Sequence, residues 1–421
     1  MSEFGVYSEV GKLRKVMVHR PSLSLRRLTP DNHDSLLFDD VLWVDRAQKE
    51  HDDFVQVMRD HDVEVYYYAE LLAEALDANP EARRRLVDRT ISAYTVGLAA
   101  VDEFQSYLLG MDTASLVSHL IGGLTKDEIE MDWGKLGARS LLAAKSRPSD
   151  FILPPLPNTM FTRDSSCWIF NGVVISPMYW PARRPEALHT SAIYRHHPMF
   201  RDADFEFWYP PMGDDDQFDV VDFGRASLEG GDVMPIGNKT VLIGVSERSS
   251  GRMVEQTAKA LFDQGAAERV IACEMTKDRA HMHLDTVFTM LDVDAVTVFP
   301  KVVDQIKAFT IRPGLNGADF HVTEESSFLG AVAEALGQNK LRVIPTGGDQ
   351  YQRAREQWDD GNNVVALEPG LVVGYEKNTF TNQNMRAAGI RVLPIEGFEL
   401  GKGRGGGHCM TCPLQRDGIG V

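Results

Sequence analysis

The chain has 421 residues, 43% of them hydrophobic and 25% charged, a globular composition with length for two or three domains and a large core. Its 44 Lys and Arg against 61 Asp and Glu leave a net charge of −17, which opposes phosphate backbones and anionic lipid, so neither nucleic acid nor a membrane surface is an expected partner. No window reaches the about 18 apolar residues of a membrane helix, the opening MSEFGVYSEVGKLRKVMVHRP lacks a signal-peptide core, and four Cys make no disulfide framework; a cytoplasmic protein with reduced thiols is expected.

In chain order, VYSEV-GK-LRKVMVHRP from Val6 predicts a β-hairpin, AQKEHDDFVQVMRDH a helix and VEVYYY a returning strand. The β signals then stop. From Leu71 to Ser149 apolar residues recur at helical spacing, with a capping and proline start at Asp77–Pro80 and a stop at Arg147–Asp150. Residues 71–149 are therefore expected to form an inserted helical bundle domain within an α/β part made of 1–70 and 150–421. SSCWIF-NG-VVISP turns at Asn171 and Gly172 and leads to a helix in ALHTSAIYRHHP and a strand in FEFWYPP; the acidic GDDDQFDVVDFG from Gly213 reads as a solvated loop. DVMPI-GN-KTVLIGVSER turns at Gly237 and Asn238 and leads to MVEQTAKALFDQG and RVIACEM. DTVFTML-DVD-AVTVFP turns near Asp292 and leads to SFLGAVAEALGQ and LRVIPTG. NVVALE-PG-LVVGYE turns at Pro369 and Gly370 and leads to TNQNMRAAG and IRVLPIEG. The runs are rich in β-branched and aromatic residues, and Gly or Asn supplies the positive φ of a tight turn. Five ββαβ units in succession predict an α/β fold with five-fold pseudosymmetry. Cys167 and Cys273, in apolar runs, are expected to pack as small core residues.

If five units close around an axis, equivalent segment ends converge, and polar residues there become site candidates. Four segments qualify: NTMFTRD at Asn158–Asp164, EGGD at Glu229–Asp232, HMHLD at His281–Asp285 and GKGRGGGHCMTCP at Gly401–Pro413. The last predicts a mobile glycine-rich loop that approaches a ligand and delivers Cys409. A thiolate is a strong nucleophile when cationic neighbours lower the thiol pKa, and His408 and Arg404 are the sequence neighbours able to do so. Cys409 and Cys412 also form C-x-x-C, and His281, His283 and His408 could complete a zinc site, so a zinc-dependent amidohydrolase competes; no second C-x-x-C supports it. His283 and Asp285, two apart, are expected on one face of a strand. Together with Asp164 and Glu229 they bring carboxylates that are costly to bury without a cation. The chain has neither a phosphate-type glycine loop nor a calcium loop, so a guanidinium or ammonium ligand fits better than a nucleotide. TGGD at Thr346–Asp349 repeats the GGD form, which makes GGD partly structural and leaves Glu229 as its functional member.

FTRD, EGGD, HLDTVF and GRGGGHCMTCP, in this order and with a helical insertion after the first unit, together resemble the arginine deiminases of the guanidino-group-modifying superfamily. The resemblance spans essentially the whole chain. It implies a five-bladed α/β propeller, the pentein fold, and hydrolysis of free L-arginine to L-citrulline and ammonia through a covalent S-alkylthiouronium on Cys409. His283 is then the general acid and base, held by Glu229; Asp164 and Asp285 bind the guanidinium nitrogens. Arg248 and Arg183 resemble the ligands of the α-carboxylate, with Arg184 the alternative to Arg183; Asn158 and Phe161 line the pocket, and Arg404 resembles a gate. No metal or other cofactor is implied, Cys412 becomes a neighbour of the nucleophile, and the helical segment is expected to serve assembly or access in a homo-oligomer, dimer or tetramer. Agmatine and methylarginine hydrolases share the fold and nucleophile and are the alternative activities.

Overall fold

The computed structural model describes residues 3–210, 226–314 and 319–419; the acidic stretch from Gly213 lies outside the described residues. Four hairpins pair antiparallel where local turn chemistry predicts them: Ser166–Ile169 with Gly172–Ile175, Val233–Gly237 with Thr240–Val245, Phe288–Met290 with Ala295–Val298, and Val365–Glu368 with Leu371–Tyr375. Each second strand pairs parallel with one that returns after a helix, namely Glu206–Tyr209, Arg269–Glu274, Arg342–Pro345 and Arg391–Ile395. The intervening helices are Arg184–His196, Gly251–Asp263, Phe328–Ala335 and Thr379–Ala387. In the second unit the turn falls on Phe170, at φ 52°, and Asn171, one residue earlier than expected, and in the Val233–Val245 hairpin it falls on Asn238 and Lys239, at φ 47° and 50°, one residue later than expected. Two successive positive φ values give the turn whose twist matches its flanking strands.

The first unit departs from the hairpin expected at Val6. Gly5–Val6 and Leu13–Val18 do not pair with each other, because the C-terminal strand Cys412–Arg416 lies between them. That strand runs parallel to Gly5–Val6 and antiparallel to Leu13–Val18, and Glu64–Tyr67 pairs parallel on the far side. The connection from Ser8 to Gly11 wraps the chain end: Ser8 Oγ donates to the Asp417 carbonyl at 2.8 Å, and a Cβ on Gly11 would collide with the same carbonyl. An unforeseen hairpin, Lys307–Pro313 with Phe320–Glu324, extends the third sheet beyond Arg269–Glu274. Its outer strand is mostly exposed, so it carries no alternation of buried and exposed apolar residues to betray it.

Strands such as Thr240–Val245 are buried along nearly their whole length and read as continuous apolar runs, as sheets covered on both faces do. The result is the mixed α/β pentein fold. From Tyr68 to Lys145 the chain is mainly helical, beginning with Tyr68–Ala78 and Pro80–Thr90, the latter capped by the Asn79 side chain with Pro80 in its first turn. Leu72, Leu86, Phe104, Leu116 and Leu120 of this segment share one buried cluster with Trp168, Val173 and Phe200 of the second unit. Among the described residues no helix is long and apolar enough to cross a membrane.

Candidate active site

Each unit delivers a polar residue just before its inner strand: Asp164 before Ser166–Ile169, Asp232 before Val233–Gly237, Asp285 before Phe288–Met290, Asn363 before Val365–Glu368, and Cys409 before Cys412–Arg416. All five are buried. Asp164 sits in the turn Thr162–Ser165, which Thr162 Oγ1 anchors through the Met17 and Met410 carbonyls at 3.0 and 3.2 Å. Glu229 precedes the turn Gly230–Asp232, where glycine is required by close approach: a Cβ on Gly231 would lie 2.6 Å from His283 Nδ1. The GGD of Thr346–Asp349 is a different structure, following a returning strand, with an exposed Asp349 that caps the helix Gln350–Trp358. GGD is thus no element of the repeat. His283 and Asp285 lie on no strand; His283 caps the tight turn Leu284–Thr286, which Asp232 holds by accepting from the Leu284 N–H at 2.8 Å and from Ser246 Oγ at 2.7 Å.

Asn158, Phe161, Asp164, Arg183, Arg248, His283, Arg404 and Cys409 line one cavity, together with Leu37, Met282 and Gly403. Its volume is about 10 Å³, room for about one water molecule. Glu229 and Asp285 stand directly behind this wall. Glu229 Oε2 lies 2.9 Å from His283 Nε2, and the Cys409 thiol lies 3.4 Å from Asp285 Oδ2. His283 Nδ1 is 3.6 Å from Asp164 Oδ1. Buried atoms without a hydrogen-bond partner at this focus include Asp164 Oδ1, His283 Nδ1 and Asp285 Oδ1, with Arg248 Nε and Arg404 Nε and Nη1 on the same cavity wall. Such atoms are costly unless a ligand satisfies them.

The electrostatics separate the groups. Burial opposes charge on His283, but Asp164, Glu229 and Asp232 outweigh it and raise its pKa to about 9, so the ring is an imidazolium at neutral pH. Burial would raise Glu229, yet Arg248, His283 and Arg183 hold it down at about 2. Asp285 is likewise lowered against its burial, by His408, His283 and Arg163. Cys409 behaves opposite to the expectation from sequence: burial pushes its pKa well above the usual thiol range, and Asp285, Asp164 and Asp360 push the same way. Its sequence neighbours do not relieve this. The His408 ring is bound between Asp285 Oδ2 at 2.8 Å and Glu9 Oε2 at 2.9 Å, and the Arg404 guanidinium lies 3.4 Å above the Trp358 ring, donating to the Ala280 carbonyl.

Arg183 is already engaged: it donates to Asp164 Oδ2 at 2.5 Å, to both Glu186 oxygens at 3.0 and 2.8 Å, and to the Asn158 carbonyl at 3.0 Å. Arg184 lines a separate cavity. Arg248 reaches Glu229 Oε2 at 3.4 Å. Asn158 ties the cavity to the loop above it through Nδ2 and the Leu36 carbonyl, 2.6 Å apart. The glycine-rich loop, expected as mobile, is packed: Gly403 and Gly405 lie against the Phe161 ring and Gly406 against Asn363, each too close for a Cβ. The donors of the zinc alternative are dispersed. Cys412 Sγ turns to Ser166 and Tyr194, and His281 pairs with Asp278 and stacks on Phe299. Among the described residues one group, Asp164, Glu229 and His283, brings three donor atoms within 4.8 Å of one another. It contains no cysteine, and Arg183 and Arg248 occupy its carboxylates.

Sequence reasoning missed Asn363, Glu186 and Asp232 as members of this cluster. The repeat held the signal for two of them. Asp164, Asp232, Asp285 and Asn363 share one place, the approach to an inner strand, and aligning units on their turns finds Asn363 as the fifth unit's contribution.

A pentein-fold scaffold that focuses a thiol, an imidazolium and paired carboxylates is an enzyme of the guanidino-group-modifying class. The sequence model of the arginine deiminase family matches residues 34–416, and the chain belongs to that family. The fold is shared with an amidinotransferase of the saxitoxin biosynthetic pathway from Microseira wollei, at 14% identity and TM-score 0.56 over 99% of this chain and 98% of that one. An inosamine-phosphate amidinotransferase from Streptomyces griseus matches at 14% identity and TM-score 0.54 over 100% and 98%. The N-terminal domain of ArgZ, a cyanobacterial arginine dihydrolase solved with bound product, matches at 11% identity and TM-score 0.51 over 96% and 98%.

Proposed function

We propose that this protein hydrolyses free L-arginine to L-citrulline and ammonia through a covalent intermediate on Cys409. The observation that carries this reading is the set of buried Asp164 Oδ1, His283 Nδ1 and Asp285 Oδ1 beside the thiol, none of which has a hydrogen-bond partner. Two carboxylate oxygens accept from the N–H edges of a planar guanidinium and hold its carbon against the sulfur.

The substrate's positive charge supplies what the protein's own cations do not: as it binds, the Cys409 thiol releases its proton to bulk water and the thiolate remains. Sulfur attacks the guanidinium carbon, forming the C–S bond. His283 then passes its Nδ1 proton to the departing nitrogen; the C–N bond breaks, ammonia leaves and an S-alkylthiouronium remains. The now neutral His283 takes a proton from water as the water oxygen bonds to the carbon. The C–S bond breaks with its electrons returning to sulfur, and loss of the remaining proton gives citrulline. Arg248, which lines the cavity with its buried Nε lacking a hydrogen-bond partner, favours a substrate with an α-carboxylate over agmatine, whereas Arg183 would first have to leave Asp164 or Glu186 to add to this preference.

Incubation with L-arginine in the presence of EDTA tests the reading. Citrulline and ammonium in equal amounts are expected, with a preference over agmatine on the order of 10⁴ in kcat/KM. Comparable rates on agmatine, activity lost to the chelator, or ornithine with an amidinated amine as products would each overturn it.

A further inference from the structure

The inner-strand positions of the second, third and fourth units carry Asp164, Asp232 and Asp285, whereas the fifth carries Asn363. That amide is the neighbour of the thiol. Asn363 Nδ2 lies 3.2 Å from Cys409 Sγ and 3.1 Å from the Asp285 carbonyl. Its orientation is fixed by chemistry: the backbone N–H groups of Gly406 and Cys409 both point at Oδ1, each at 3.0 Å, and an N–H can only donate. The amide nitrogen therefore faces the sulfur. Asn363 is 1% exposed, and among the described residues it provides the one hydrogen bond donated to Sγ.

The remaining surroundings of the sulfur disfavour a negative charge. Asp285 Oδ2 lies 3.4 Å away and accepts from the thiol, and the sulfur is buried at one wall of the cavity. A carboxylate at 363, like those of the sister units, would add a charge of the wrong sign against the reacting atom. An amide keeps the two backbone acceptor contacts that shape the glycine-rich loop and presents an N–H to the sulfur. We propose that Asn363 is a further catalytic residue of this enzyme, its side-chain N–H stabilising the Cys409 thiolate, and that the position requires a neutral donor rather than a carboxylate.

The inference rests on Cys409 as the nucleophile of the proposed reaction. Its test reads the thiol itself, so its failure is distinct from a failure of the arginine assignment. The pH dependence of Cys409 alkylation by iodoacetamide is to be measured in the unmodified protein, Asn363→Ala and Asn363→Asp, with Cys412→Ser as the common background. The alkylation midpoint is expected to rise by about one pH unit in Asn363→Ala, a tenfold loss of thiolate, and further in Asn363→Asp. On L-arginine kcat should fall about tenfold and more than a hundredfold respectively, with KM within about threefold. A folded Asn363→Ala with an unchanged midpoint overturns the donor role. Asn363→Asp preserves the Oδ1 contacts to Gly406 and Cys409, so it decides the matter if the Ala variant does not fold; an unchanged midpoint and kcat in Asn363→Asp overturn the proposal.

Discussion

Cys409 and Cys412 stand three residues apart and meet opposite surroundings. The first faces Asp285, Asn363 and the cavity; the second is buried against Ser166 and Tyr194 on the inner strand of the first sheet. Cys409→Ser is therefore expected to lose at least about 10³ in kcat while unfolding at an unchanged denaturant concentration, and Cys412→Ser to keep kcat within about threefold. Steady-state kinetics with an unfolding curve on each variant checks this, and equal loss in both would remove Cys409 from its role. His283 makes the second prediction at this scale. Its pKa, raised from 6.5 to about 9 mainly against burial by Asp164 and Glu229, keeps the general acid protonated below about 9. kcat/KM should fall as pH rises through about 9, and Glu229→Gln should move this basic limb to lower pH, because a neutral partner no longer favours the imidazolium. The ion pair's contribution to stability follows the same sign, full below about 6.5 and lost as pH rises through about 9. A limb that stays in place in Glu229→Gln would uncouple the two residues. The residues of this cluster were legible in sequence where they stood in odd, polar motifs such as EGGD and RGGGHC. Asn363, in the bland GNNVV, was legible only through its place in the repeat, and the thiol's environment was not legible at all, since His408 and Arg404 adjoin it in sequence yet are engaged by Asp285 and Glu9 and by Trp358.

Among the elements, hairpins two to five were readable because a turn is a local decision: Asn238–Lys239 and Pro369–Gly370 carry their own backbone requirements, and in the second unit the turn on Phe170 and Asn171 lies one residue from the Asn-Gly that announced it. Two elements escaped for opposite reasons. Lys307–Pro313 with Phe320–Glu324 has a solvent-facing outer strand and hence no apolar alternation, and His283–Asp285 alternates like a strand but is a tight turn pinned by Asp232. The two GGD segments show how one motif does different work. A methyl at Gly231 would press on His283 Nδ1 and Asp164 Oδ1, at 2.6 and 3.1 Å, so Gly231→Ala should cut kcat by about 10² through displacement of the acid. Gly348 instead takes φ +81° beside an exposed helix cap, where a methyl would press on Gln352 Cβ, so Gly348→Ala should cost more than the about 1 kcal/mol of the positive φ alone and leave kcat unchanged. Kinetics and denaturant titration on the pair distinguish the two; a Gly231→Ala enzyme of normal kcat would mean that the turn yields without moving His283.

Over the whole molecule, the ring closes through partners at the two ends of the chain, which no local pattern announces. Cys412–Arg416 fills the centre of the first sheet between Gly5–Val6 and Leu13–Val18, and Val6 exchanges two backbone hydrogen bonds of 2.8 Å with Phe170 of the second unit. On the other side the buried Arg416 donates to the Gly11 carbonyl at 2.9 Å and to the Ala366 carbonyl of the fifth unit at 2.8 Å. One side chain thus joins the first and last units across the closure. Burial lowers its pKa to about 10, against the nearby negative charges of Glu9 and Asp417, which favour its protonated form. Arg416→Met keeps most of the volume but strands two buried carbonyls and leaves Glu9 with one cation fewer, a loss of about 3 kcal/mol. Because Cys409 enters the site directly from this strand, loosening the closure must also loosen the nucleophile. Activity and far-ultraviolet circular dichroism should therefore disappear together in one denaturant transition, shifted to lower denaturant than in the unmodified protein, with kcat little changed before it. An unshifted midpoint would show that Arg416 does not secure the ring, and activity lost well before the dichroism would show that the first unit opens while the other four remain folded.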